Sequence, residues 1–452
     1  MVMSRKAFQR GIALSPATPT SPTNLAALTA AFESHSSVFR TMFQLSILLP
    51  ISLSCAAAFP LYAITSAVYG RPPVVPPLHV VASYAWLSLT TPNIPLYTRV
   101  SVLLFVIVNK MLLIPLTGLA WHLDEVLYGQ ALNVPLNNPV FVISGARSGS
   151  TTLGHLLDED PGFCSPSGAM IALPYLWLWK LVAFLHRVDL CPSPLSVMAF
   201  IRRNTANEFL ARHELNIFKP DTFEVPWLVK RHFFSVSFDL GADCMLANVP
   251  VSDYELDREL WDDFVIFTER ILQKTRIINP GKERVMIKGH FLAVAEILEK
   301  KFEGATFVTV IRDYSNRVES LMNFMLANRL IVADTGLVPS KRNLLDTGEA
   351  IGRLEIDYIR REREFFKEGK KKAVVKFEEY VKDPANALEK VYEVIGRGTG
   401  GKGGGGVPAE IKAAMVEGKE GHANRGKMKY SIKLKLGEFG IDETKFRNAC
   451  AQ

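Results

Sequence analysis

The pattern of apolar and polar positions splits the chain into two unlike parts. Between Glu33 and Asp124 there is no acidic residue, and from Thr41 to Leu123 the only full charges are Arg71, Arg99 and Lys110. Residues 41–69 are uncharged and mainly apolar, longer than the ~20 residues that cross a bilayer as a helix. Pro50 and Pro60 would kink such a helix without forbidding it. A second apolar stretch, residues 100–121, carries Lys110, whose charge is costly in lipid unless it faces protein or water. Between them, residues 72–98 are interrupted by Pro72, Pro73, Pro76, Pro77, Pro92 and Pro95 and read as a re-entrant or interfacial piece. The pattern therefore predicts a membrane region over residues 41–123 with two spans in a hairpin; three spans, or a buried helical hairpin of a soluble protein, are the alternatives. Two spans place both termini on one side, and the basic residues Arg5, Lys6, Arg10 and Arg40 favour the cytosol. Residues 1–40, rich in Ser, Thr, Pro and Ala, read as a disordered or targeting tail.

The remainder alternates short apolar runs with helical patterns. Pro139–Ser144, Val285–Ile287, Thr306–Ile311 and Ala373–Phe377 read as buried strands. Phe291–Phe302 and Val318–Asn328 carry helical spacing. Strands alternating with helices predict an α/β fold with a central parallel sheet flanked by helices. Residues 396–406, GRGTGGKGGGG, interrupt the pattern as a flexible surface loop.

Composition refines this picture little. The 452 residues carry a net charge of +7, which suits an anionic ligand or an anionic membrane surface. Neither zinc-finger spacing nor a basic run interleaved with aromatics points to nucleic acid. Cys55, Cys164, Cys191, Cys244 and Cys450 match neither a metal motif nor a disulfide framework and read as free thiols. No Asn-x-Ser/Thr sequon occurs, which argues against a lumenal domain.

Chemistry enters at Ser144-Gly145-Ala146-Arg147-Ser148-Gly149-Ser150-Thr151-Thr152. A glycine-containing turn between a strand and a helix presents free backbone N–H groups, and the helix N-terminus adds positive potential, so the segment is a phosphate cradle. Arg147 adds a fixed charge and Ser150 and Thr151 add hydroxyls. The Gly-Lys-Ser/Thr ending of a nucleotide kinase loop is missing. Further on, the strand Thr306–Ile311 leads into Arg312, with Ser320 eight residues later in a helical pattern; the strand around Val285 ends in Lys288-Gly289-His290. An Arg can grip a phosphate with two parallel hydrogen bonds and a Ser can complete the cage.

Taken together, these three segments resemble the sulfotransferases that use 3′-phosphoadenosine 5′-phosphosulfate (PAPS). The likeness runs over about residues 135–445 and reaches the late Val374–Pro384 segment and the closing Tyr430–Gly440 segment. Tyr314 stands where the family often has Pro. The resemblance implies a P-loop-like central parallel sheet flanked by helices. It implies that residues 145–152 hold the 5′-phosphosulfate, that Arg312 and Ser320 hold the 3′-phosphate, and that Lys288 contacts the donor with His290 as base. An acceptor hydroxyl must lose a proton as it attacks sulfur, which an imidazole does well near neutrality. Lys288 and Arg147 can neutralise charge on the sulfuryl oxygens and the leaving phosphate. His155, His213 and Glu224 are competing bases, and Arg425-Gly-Lys427 is a candidate basic loop over the 3′-phosphate. The implied reaction is direct in-line transfer without a metal.

A kinase and a non-catalytic nucleotide- or partner-binding membrane protein are the rival readings. The acceptor class stays open. Leu173–Trp179 offers aromatics for a lipid- or sterol-like molecule near a membrane, whereas a glycan would suit a Golgi lumen. The sequence thus predicts an integral protein of the endomembrane system, Golgi or ER, with the side of its catalytic domain open.

Overall fold

The computed structural model describes residues 54, 57–90, 109–136, 138–188, 223, 227, 258–282, 284–332, 341–396, 407, 411–412 and 434–451. Apart from Ala57 at the start of the first helix, the elements below belong to the unit Ala58–Gln452. Three helices come first: α1 over residues 57–69, α2 over Leu78–Thr90 and α3 over Asn109–Leu132. The α/β part follows as β1 (Val140–Ile143), α4 (Ser150–Asp158), β2 (Phe163–Cys164), α5 (Gly168–Ala172), α6 (Leu176–Arg187), α7 (Arg258–Ile278), β3 (Arg284–Gly289), α8 (Ala295–Lys301), β4 (Thr306–Ile311), α9 (Tyr314–Val332), α10 (Lys341–Phe366), β5 (Lys372–Lys376), α11 (Phe377–Lys382), α12 (Pro384–Ile395) and α13 (Glu443–Ala451).

The five strands form one parallel sheet in the order β2-β3-β1-β4-β5. Strand β1 is all apolar because both of its faces are covered. Phe141 and Ile143 enter one core with Phe291, Phe302 and Phe307, while Val140 and Val142 enter the other with Leu153, Val308 and Leu388. That period of two with both faces buried is the signature of a parallel sheet between helical layers. After β1 the chain turns towards β2 and β3, whereas β4 and β5 lie on its other side. Such a switch of direction opens a crevice at the strand C-termini, where ligands bind in open α/β sheets. A third core, built from Val318, Met322, Ile359, Phe439 and Phe446, fastens α9, α10 and α13 together.

All four strands expected from sequence are present, each shifted by no more than a residue or two at its ends. The short edge strand β2 was not expected, nor was α2, which occupies residues read as re-entrant. Pro76 and Pro77 precede α2 rather than interrupt it. Of the expected spans, residues 41–53, 55–56 and 100–108 lie outside the described residues, as do residues 397–406 of the glycine-rich loop. Among the described residues no helix is long and apolar enough to cross a membrane, so the expected transmembrane hairpin is not seen there. The reason is visible in α3: it continues past residue 121 to Leu132 through Asp124 and Glu125 and buries one face on the α/β part. Trp121 stacks on Phe267 of α7 at 6.1 Å between centroids. The Asp124 carboxylate accepts from the first two amides of α6, Leu176 N at 2.7 Å and Trp177 N at 2.9 Å, and pairs at 2.9 Å with a Lys274 that is equally buried. The connection before α2 docks as well. Arg71 bridges to Glu259 (2.8 Å) and Asp263 (3.0 Å) of α7, and Trp227 Nε1 donates to the Pro73 carbonyl.

Candidate active site

The crevice is shaped by the loop that leaves β1. Ser144 is pinned three ways: its N–H donates to the Gly289 carbonyl at 3.2 Å, its Oγ accepts from Val310 N at 2.9 Å, and its carbonyl accepts from His290 Nδ1 at 2.6 Å. The loop therefore starts from a point fixed to both neighbouring strands. It then turns tightly, with Ser148 N donating to the Gly145 carbonyl at 3.3 Å. Gly149, at φ 97°, supplies the left-handed conformation from which α4 begins. Glycine is needed there twice over, because a Cβ would also lie 2.6 Å from the Phe377 ring. Arg147 takes φ 65° without being glycine, a strained conformation of the kind that concentrates at ligand clamps.

That strained residue gathers the charged groups. Arg147 Nε donates to Ser320 Oγ on α9 at 3.2 Å, and Arg312 Nη1 at the end of β4 donates to the Arg147 carbonyl at 3.2 Å. Phenylalanine rings lie under both guanidiniums: Phe324 under Arg147 at 5.3 Å, Phe377 under Arg312 at 4.9 Å. Burial, and then the neighbouring Arg147 charge, push the Arg312 pKa down. Two cations brought this close favour an anion that both can grip. Among the described residues, Ser148 Oγ is one of the buried side-chain atoms without a hydrogen-bond partner. At the end of β3, the buried Lys288 ammonium donates to Thr151 Oγ1 at 3.0 Å. His290, two residues on, is half-buried. Because a carbonyl only accepts, Nδ1 carries the proton in its bond to Ser144 and Nε2 is the basic nitrogen of the neutral ring.

The residues singled out from sequence thus meet in one place. Gly145, Ala146, Ser148, Gly149, Ser150 and Thr152 form the loop and the start of α4. Arg147, Thr151, Lys288, His290, Arg312 and Ser320 line it. His155 falls on the Lys288 side, in a small pocket with Gly154, Ser165 and Phe223. His213, Glu224 and Arg425–Lys427 lie outside the described residues. Sequence reading missed the aromatic supports Phe324 and Phe377 and a buried group beneath the loop, Arg317 with Glu355 and Glu362. These partners are 38 or more positions apart in the chain, so no local spacing announced them.

Fold and site together define an α/β protein with a parallel sheet between helical layers and a cluster of cationic and hydroxyl side chains at the ends of its central strands. The family model described as "Sulfotransferase family" matches residues 139–398, more than half the chain, and the chain belongs to that family. Among solved structures, the sulfotransferase STF1 from Mycobacterium tuberculosis superposes with a TM-score of 0.56 at 16% identity, over 87% of this chain and 97% of that one. STF9 from Mycobacterium avium follows at a TM-score of 0.49 and 19% identity, over 80% and 86%. At these identities the likeness is one of fold. No curated protein matches the sequence.

Proposed function

We propose that this sulfotransferase takes its sulfuryl group from PAPS and passes it to a hydroxyl or amine of its acceptor by direct in-line displacement. The observation that carries the reading is the Arg147–Ser320–Arg312 group at the mouth of the loop, with Lys288 and His290 at the adjoining strand end. Arg312 and Ser320 suit a 3′-phosphate, and the amides of residues 145–149 with the N-terminus of α4 suit the 5′-phosphosulfate. Arg147 exchanges its bond to Ser320 for ligand oxygens. Lys288 neutralises charge that grows on the leaving phosphate oxygen. His290 Nε2 takes the acceptor proton as the acceptor oxygen bonds to sulfur. The sulfur–oxygen bond to the phosphate breaks in the same step, leaving 3′,5′-ADP.

The same proposal places the chain at a membrane of the Golgi or ER as an integral protein. It is supported by the charge-poor run from Thr41 to Leu123 and by large apolar side chains left exposed on the helices within it, among them Val68, Leu78 and Trp86. On α6, exposed Leu181 and Phe184 stand beside Lys180 and Arg187, with no acidic residue on that helix, the composition of an interfacial helix. A lipid-like acceptor fits this placement better than a glycan, since the Phe223 N–H donates to the Lys288 carbonyl at 2.9 Å while Trp227, four residues on, is bonded to the connection before α2. The wall beside Lys288 is thereby joined to the apolar helices.

The test is calorimetric titration of detergent-solubilised protein with 3′,5′-ADP and with 5′-AMP, beside Arg312→Ala. Tighter binding of 3′,5′-ADP, lost with Arg312, is expected. Equal weak binding of both nucleotides would sink the donor assignment in favour of a kinase or a non-catalytic nucleotide binder.

A further inference from the structure

Arg317 is completely enclosed, yet it belongs to the turn of α9 that also carries Ser320. Its guanidinium lies between the rings of Tyr314 and Tyr358, at 5.5 and 5.4 Å. It pairs with Glu355 through Nη2, and its Nη1 is 3.7 Å from Glu362. Its other face is pressed on Gly145: a Cβ at that position would lie 2.0 Å from Arg317 Nη1. Gly145 is not among the glycines with positive φ, so the missing side chain there is a matter of space and not of backbone freedom. Glu362 completes the arrangement. It accepts at 2.7 Å from Thr309 Oγ1 on β4, and the Gly145 backbone N–H beside it favours its charged form.

We propose that Arg317 and Glu362 are a positioning pair that holds Gly145, the first residue of the phosphate loop, against the turn of α9 bearing Ser320, and so sets the spacing between the 5′ and 3′ phosphate subsites. The inference rests on the donor site proposed above. Two residues of the loop, Gly145 and Arg147, meet two residues one turn apart on the helix, Arg317 and Ser320, as positions i and i+3 share a helix face. The two contacts differ in what a ligand does to them. The Arg147–Ser320 bond spans the place of the 3′-phosphate and opens as that phosphate binds. The Arg317–Gly145 contact is buried beneath the loop and persists. A buried ion pair adds little net stability over well-packed apolar groups, so its contribution here is geometric: it keeps loop and helix in register while the bond above it is exchanged. Neither side chain touches substrate; both act through Gly145.

The experiment compares 3′,5′-ADP and 5′-AMP binding in the wild-type chain, in Glu362→Gln, and in a neutral variant combining Arg317→Met, Glu355→Gln and Glu362→Gln, which leaves no unpaired buried charge. A ligand gripped at both ends should suffer from lost register, and one gripped at one end should not. The preference for 3′,5′-ADP over 5′-AMP is expected to fall about tenfold in the neutral variant, the effect of one lost charge-assisted hydrogen bond, with 5′-AMP affinity nearly kept. An unchanged preference, or an equal loss for both nucleotides, overturns the inference and leaves a structural role only. A wild-type chain without preference overturns the donor site and the inference with it, and is recognised before any variant is read. A second measurement covers poor folding of the neutral variant. Gly145→Ala is expected to abolish that preference in the wild-type background and to be tolerated beside Arg317→Ala with both glutamates changed to Gln. Equal damage in the two backgrounds overturns the contact.

Discussion

At the scale of single residues, two of the site's side chains are held in place by backbone carbonyls. Arg312 reaches the Arg147 carbonyl and His290 reaches the Ser144 carbonyl, so both are aimed before any ligand arrives. Arg312→Ala removes a charged donor and should weaken 3′,5′-ADP about 10- to 100-fold, read by calorimetry, because such bonds contribute ~1.5–3 kcal/mol. For His290, Asn is the informative replacement, since its amide can still donate to Ser144 while offering no base. We expect His290→Asn to lower kcat by about 10²–10⁴, the usual worth of a positioned general base, while 3′,5′-ADP binding is retained; rapid-quench transfer assays with labelled PAPS check it, and an unchanged kcat would move the base to His155. Glu362 supplies a prediction in pH. Burial holds its carboxyl above the ordinary value of 4.5, so the folded chain keeps that proton to higher pH than the unfolded chain does. As pH rises past 4.5 the unfolded state loses the proton first, and the fold loses stability until the folded carboxyl also titrates. Gln has no proton to lose. The unfolding midpoint of wild type minus that of Glu362→Gln should therefore fall from pH 4.5 upwards and then level off, measured by urea denaturation across pH.

At the scale of elements, the crevice depends on what holds the ends of helices and strands. The loop is fixed at its start by Ser144 and released into α4 by Gly149, whose open space is taken by Phe377 at the start of α11. Besides the Arg71 bridges, the first helices are tied to the α/β part by a buried hub. Asp124 of α3 caps α6 and pairs with Lys274 of α7, whose ammonium also donates to the Pro174 carbonyl at 2.7 Å and sits 3.8 Å over the Trp121 ring. Removing one partner of a pair with no solvent exposure leaves the other charge buried alone, which costs about 3–5 kcal/mol. Asp124→Ala should therefore lower stability to denaturant by that amount and loosen α6 and α3 together, seen as faster amide exchange in both helices. Exchange confined to α6 would mean that Asp124 acts only as its cap.

At the scale of the whole molecule, the wall beside Lys288 and the apolar helices belong to one unit, so the proposed catalysis and membrane contact are predicted to go together. The full-length chain should float with lipid vesicles, and Trp86→Glu with Phe184→Glu should reduce flotation severalfold by placing charge where exposed apolar groups would meet lipid. Loss of flotation without loss of 3′,5′-ADP binding would show that lipid contact and donor binding are separate properties. Flotation unchanged by both substitutions would remove the membrane face from α2 and α6.

How much of this was legible in advance follows the range of the forces involved. Strands β1, β3, β4 and β5 were readable because each is a run of apolar residues with turn-formers at its ends, and a doubly covered parallel strand needs nothing else. The loop 144–152, Lys288, His290, Arg312 and Ser320 were readable because each sits at a fixed offset from a strand end, and the strand ends of a parallel sheet converge on one crevice. The sequence alone therefore determined the α/β class and which charged and hydroxyl residues gather at the strand ends; their role in donor binding is the proposal made above. Only the tertiary structure decided what stands behind them. Phe324 and Phe377 as supports, Arg317 under Gly145, and Asp124 as the hub of three helices depend on contacts between segments far apart in the chain. The placement of α3 was decided there too. Residues 109–121 are apolar enough to suggest lipid, but the face of α3 that carries Trp121 and Asp124 is buried against Phe267, Lys274 and the start of α6. Hydropathy records that a side chain must leave water and is silent on whether protein or membrane receives it; packing makes that choice.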